Sequence, residues 1–152
     1  MTITLNLETE AGPDAKMFVA NAATAIRYKQ LFGADLGIAL GQLLEQADMS
    51  MLQSVQDDGI STEELSPEMM QVLIWLTTSG LSDVIKQLAY IENMQAEKAE
   101  IPRLTGDDYI DWLEQFPALE LLKNAASIVG LYIGQKAGTA VPKKAAALRN
   151  DE

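Results

Sequence analysis

The apolar residues of this chain change period once, and that change limits the fold more than any other feature. From Ile3 to Leu7 ("ITLNL") apolar and polar residues alternate, the period of a strand with one covered face. After the turn signal "GPD", the run "MFVA" could pair with it as a hairpin within residues 1–20. From Ala22 onward the spacing becomes helical. Ala25, Tyr28, Leu31 or Phe32, and Leu36 share one face, and Leu36, Ala39, Leu40, Leu43, Leu44 and Ala47 continue a stripe. Gly33 divides this stretch into two helices. The expected class is therefore mainly α: a single compact helical domain over 1–138, with about five to six helices, a short N-terminal β-hairpin and a flexible tail over 139–152.

Punctuation places the remaining helices. A loop, "QDDGISTEELSP", ends in Ser66 and Pro67, an N-cap and first-turn pair for a helix from about Glu68. Within that helix "MMQVLIWL" is apolar all round, which predicts a central position. "TTSG" interrupts before Leu81, and Val84, Ile85, Leu88 and Ile91 then mark a helix running to about Ala99. Thr105 and Asp108 resemble a capping box for "DYIDWLEQF", and Pro117 opens a final helix carrying Leu122, Ala125, Val129 and Tyr132 or Ile133. Gly33, Gly37 and Gly41, like Gly130, Gly134 and Gly138, are spaced four apart. Each interior glycine costs a helix about 1 kcal/mol relative to Ala. The stacking therefore points to close packing within the monomer, or else to a self-association face of a homo-oligomer.

Composition narrows function by subtraction. The 152 residues contain no His and no Cys, which removes the usual zinc ligands, imidazole acid-base chemistry and thiol nucleophiles. No phosphate-cradling glycine loop, calcium loop or Gly-x-Ser-x-Gly elbow is present. Asp57/Asp58 and Asp107/Asp108 are read as loop solvation and helix capping, so no metal site, cofactor or catalytic residue is expected and the protein is expected not to be an enzyme. The start lacks a basic, then apolar, leader, and no apolar run reaches the roughly 18 to 20 residues a bilayer needs, so a soluble cytoplasmic protein without membrane attachment is expected. Net charge is −11, and nine acids lie between Gln30 and Ile85 with no base among them. Phosphate binding needs a basic footprint, so nucleic acid is a poor partner and a basic or apolar protein a better one.

The candidate contact residues follow from that charge. Asp57, Asp58, Glu63 and Glu64 form an acidic loop, and Met69 and Met70, with Met49 and Met51, flank it. Thioethers beside carboxylates would make an adaptable groove for an amphipathic helix with basic edges, although most such methionines are core filler. Trp112 and Phe116 lie four apart on a short amphipathic helix, where they either cap the core or anchor an interface.

The stretch "ATAIRYKQLFGADL" resembles the segment near the start of tail assembly chaperones of long-tailed bacteriophages and prophages, especially those of Gram-positive hosts. That family shows an Ala-Thr-x-x-x-Tyr-(+)-x-x-Phe-Gly-(+)-Asp pattern, matched by Ala23, Thr24, Tyr28, Lys29, Phe32, Gly33 and Asp35, with Ala34 in place of the usual base. "LAYIENMQAEKAEI" followed by "DDYIDWLEQF" is similar to the family's apolar helix and Trp-Leu-x-x-Phe helix, and a Lys-Lys pair follows a proline near the end. "SPEMMQVLIWLTTSG" fits poorly. The resemblance implies a non-catalytic protein that escorts the tape measure protein and keeps it soluble until tail tube subunits polymerise around it. It acts in the host cytoplasm and is absent from the mature virion. A longer second product, made by ribosomal frameshifting at "VPKK", is also implied. On this reading Tyr28 and Phe32 hold the first helix to the core and are also counted among the candidate partner-binding residues, and Arg27 and Lys29 form its solvated edge. The alternatives are a structural connector retained in the phage tail and a host-directed regulator acting through the acidic face.

Overall fold

In the computed structural model the described residues are 2–46, 52–53, 56–57, 67, 70–71, 74–75 and 80–134. They form a mainly α structure opened by a two-stranded antiparallel hairpin, β1 (Thr2–Thr9) and β2 (Gly12–Val19). The alternation read from Ile3 to Leu7 is the strand's two faces: Leu7 and Phe18 are fully buried, while Thr2, Thr4, Asn6 and Glu8 are exposed. The turn is not at "GPD". Thr9 pairs with Gly12, so the turn is Glu10–Ala11, and Pro13 and Asp14 already belong to β2. Thr9 closes it, accepting from the Ala11 N–H and donating to the Gly12 carbonyl, and Gly12 takes a φ of 109° that disfavours any side chain.

Helices α1 (Thr24–Phe32) and α2 (Leu36–Gln46) meet where Gly33 was expected to separate them. Gly33 adopts φ 76°, its N–H donating to the Lys29 carbonyl at 2.8 Å, and Asp35 Oδ1 accepts the Ile38 N–H at 2.9 Å to start α2. Helix α3 (Leu81–Ala96) follows Gly80, which is left-handed at φ 79°. It stops before Ala99: Lys98 is left-handed at φ 58°, the Ala99 N–H donates to the Met94 carbonyl and the Lys98 N–H to the Gln95 carbonyl. That is a Schellman ending with lysine where glycine is usual. A 3₁₀ turn (Ile101–Arg103) leads to α4 (Gly106–Leu113), whose Thr105–Asp108 capping box is complete in both directions.

The final helix read from Pro117 is two: α5 (Glu120–Lys123) and α6 (Ala125–Ile133), separated at Asn124, whose side-chain amide donates to the Glu120 carbonyl. Gln56 and Asp57, placed in a loop from sequence, are helical, and Gln56 exchanges two hydrogen bonds with Ser127 of α6. The central element is α3, which packs against β2, α1, α2, α4, α5 and α6 and buries Ile85, Leu88, Ala89, Tyr90 and Ile91. In the "MMQVLIWL" stretch, expected to be central, Met70 and Ile74 are exposed and Trp75 is half-buried.

Of the spaced glycines, Gly130 is buried in α6, while four others do not mark close packing. Gly33 and Gly134 are left-handed helix ends, and Gly37 and Gly41 are exposed on α2, with a side chain at Gly41 meeting open space. The Ser66 cap, Gly138 and the tail 139–152 lie outside the described residues. Among the described residues no helix is long and apolar enough to cross a membrane.

Candidate partner-binding surface

The four aromatic candidates belong to one row of six rings. Tyr28 packs on Phe32 at 5.3 Å between centroids, Phe32 on Tyr109 at 5.0 Å, Tyr109 on Tyr90 at 5.3 Å, Tyr90 on Trp112 at 5.2 Å and Trp112 on Phe116 at 4.9 Å. All five contacts are tilted or edge-to-face, the arrangement ring quadrupoles favour; Phe32–Tyr109 joins α1 to α4, and Tyr109–Tyr90 and Tyr90–Trp112 join α4 to α3. Tyr28 and Trp112 are buried, at 1% and 8% exposure, so a partner cannot reach them on the folded protein. Phe32 and Phe116 are half-buried, and the Lys16 ammonium stands 5.9 Å from the Phe116 ring. The row joins the helices together: Tyr28 holds α1 to the core, and of the two readings of Trp112 its burial favours the cap on the core over the interface anchor.

Polar side chains of α3 run beside that row and tie it to the hairpin. Trp112 Nε1 donates to Asn93 Oδ1 at 2.9 Å, and Asn93 Nδ2 donates to the Met17 carbonyl at 2.8 Å. Gln95 Nε2 donates to the Val19 carbonyl at 2.7 Å and to Thr24 Oγ1 at 3.0 Å, while Gln95 Oε1 accepts from Arg27 at 3.3 Å. Arg27 is thus half-buried and engaged, not part of a solvated edge; Lys29 is exposed as expected. The Tyr28 hydroxyl donates to Gln87 Oε1 at 2.6 Å. Burial first, and the Asp83 carboxylate second, push the Tyr28 hydroxyl up to about 12, and burial with Asp108 does the same for Tyr90. Tyr109 is raised too, by burial and then by Asp83 and Tyr28.

One residue of α3 stands outside this network. Glu92 is fully buried, both carboxylate oxygens lack a hydrogen-bond partner among the described residues, and burial raises its pKa well above 4.5. The sequence reading missed Glu92, Asn93 and Gln95. The available signal was an acid four residues after Leu88 and seven after Ile85, on the apolar stripe itself.

Of the acidic candidates, Asp57 is exposed and accepts from Gln53 Nε2 at 2.9 Å; Asp58, Glu63, Glu64 and Met69 lie outside the described residues. Met70 is 47% exposed. The surface carries further apolar residues that sequence did not single out: Met17, Ile26, Ile38, Ile74 and Ile110. Ile110 has the most defined setting. On α4 it is exposed with Asp107 three residues before it and Glu114 four after, so an apolar side chain lies between two exposed acids on one helix face. Among the described residues no three acidic side chains gather as a metal site.

The fold and surface define a mainly α protein with an N-terminal hairpin, an aromatic framework and scattered exposed apolar side chains among acids. No family model, curated protein or solved structure matches this chain.

Proposed function

We propose that this protein is a phage tail assembly chaperone, a non-catalytic escort that binds the tape measure protein in the host cytoplasm and leaves before the virion is complete. The resemblance of residues 23–35 to that family carries the reading. Of the matched residues, five have a job at the α1–α2 corner, while Lys29 is exposed. Thr24 Oγ1 accepts the Asn21 N–H and the Gln95 amide, Tyr28 and Phe32 begin the aromatic row, Gly33 ends α1 and Asp35 caps α2. The pattern is therefore a folding device, and contact with the partner falls to side chains that face outward.

Ile110 between Asp107 and Glu114 suits an amphipathic helix with apolar and basic positions. Carboxylates around such a residue discourage association with other acidic chains while favouring a basic one. Co-expression with the tape measure protein encoded beside it tests the function: the soluble fraction of that protein should rise and the two should co-purify. Unchanged solubility without co-purification contradicts it. Mass spectrometry of purified particles separates this chaperone from a connector that stays in the tail, because only the connector is present there.

A further inference from the structure

The two long edges of the hairpin are closed to different extents. The register sets Thr2, Thr4, Asn6 and Glu8 of β1 opposite Val19, Met17, Ala15 and Pro13 of β2. These are the positions whose backbone groups point away from the partner strand, since antiparallel pairs alternate between bonded and outward-facing. Pro13 has no N–H to give, and the Glu8 N–H opposite it donates outward to Glu120 Oε2 at 3.0 Å. On the other edge the outward carbonyls of Met17 and Val19 accept from Asn93 and Gln95. Helix α3 therefore closes the β2 edge. On the β1 edge Glu120 closes Glu8, and the Gln115 carbonyl accepts the Glu10 N–H just beyond.

At Thr2, Thr4 and Asn6 the edge is open. All three are exposed, and among the described residues nothing bonds their outward N–H and C=O groups. The strip from Thr2 to Leu7 has no charge and no proline, the two devices that usually prevent a strand edge from pairing.

We propose that this edge pairs with the same edge of a second copy, antiparallel about a two-fold axis through Thr4, giving a four-stranded sheet across two protomers. The sequence is self-complementary in that register. Thr4 meets Thr4 and Thr2 meets Asn6, so every open outward group faces another and about six backbone hydrogen bonds form. Ile3 meets Leu5 on the half-buried face and extends it across the axis. No acid opposes an acid in the paired strip, although the chain carries −11 overall. A basic partner would find no carboxylate there to recognise. Repulsion between the two acidic bodies makes the pairing tighter as salt rises, the reverse of a contact driven by opposite charge.

Sedimentation velocity of the full chain over a concentration series tests this, with Thr4→Pro and Thr4→Lys beside the wild type. The Thr4 N–H serves no bond to β2, so proline there leaves the hairpin ladder intact, as Pro13 already does, and circular dichroism should match the wild type. The wild type should form a dimer that strengthens with salt. Each variant should raise the dimer dissociation constant by about tenfold or more, because the outward bonds are lost or like charges are placed face to face. Mixing Thr4→Lys with Thr4→Glu should restore dimers that neither forms alone. A wild type monomeric at the highest concentration, variants that dimerise like it, or a mixture no tighter than its components would each overturn the proposal.

Discussion

Glu92 places a carboxyl group in the middle of α3, with two oxygens that meet no donor among the described residues. An unsatisfied buried polar group costs about 1 to 3 kcal/mol, so Glu92→Met, which keeps the length and removes the oxygens, should stabilise the protein by a similar amount in urea titration. A loss of stability would mean that the carboxyl is engaged in the fold. The sign of its pH effect follows from its raised pKa. The folded protein keeps a proton that the unfolded chain releases once pH passes 4.5. The associated stability is complete below that pH and is lost as pH climbs through the higher folded value, and Glu92→Met should flatten that slope. Trp112 acts in the opposite sense: Trp112→Ala removes the ring between Tyr90 and Phe116 and leaves Asn93 Oδ1 bare, and should cost about 3 to 5 kcal/mol in the same titration. A change below about 1 kcal/mol, within the range of surface substitutions, would remove Trp112 from the framework. At this scale the sequence was informative about which rings matter and silent about where they point. Trp112 and Phe116 at four-residue spacing serve a core or an interface equally well until Tyr90, far away in sequence, supplies the third ring.

Helix ends carried the clearest local signals. Gly33 and the Thr105–Asp108 box act through their own neighbours, so a reader of the sequence can find them. Gly33→Ala should destabilise by about 1 to 2 kcal/mol, the cost of a left-handed side chain. Lys98 is the converse case, left-handed at φ 58° without being glycine, and Lys98→Gly should raise thermal stability by about 1 kcal/mol. Opposite shifts from these two substitutions check the assigned helix ends, and shifts of the same sign would contradict one of them. The misreadings have tertiary causes. The division at Asn124 depends on a side-chain amide reaching the Glu120 carbonyl inside an otherwise unbroken apolar pattern. "GPD" has turn composition, but the turn closes two residues earlier and Pro13 occupies an outward-facing strand position, where no N–H is required. Helix α3 is central although it carries Glu92, Asn93 and Gln95, because the latter two meet hairpin carbonyls that need donors.

For the whole molecule, the proposed function assigns holding the fold and meeting a partner to different side chains. The conspicuous aromatics are spent inside on joining α1, α3 and α4, while less conspicuous aliphatic residues remain outside among acids. This separation is the central claim, and a single set of binding measurements tests it most directly: the affinity of purified wild type, Ile110→Ser and Asp107→Asn/Glu114→Gln for the tape measure protein at low and high salt, each with its melting temperature. Ile110→Ser should weaken binding by about tenfold, the effect of losing one well-placed apolar contact of about 1.4 kcal/mol, without lowering the melting temperature. The double acid variant should bind less well at low salt and equally at high salt. Affinities unchanged in both variants, or lost only where the melting temperature also falls, would contradict the account.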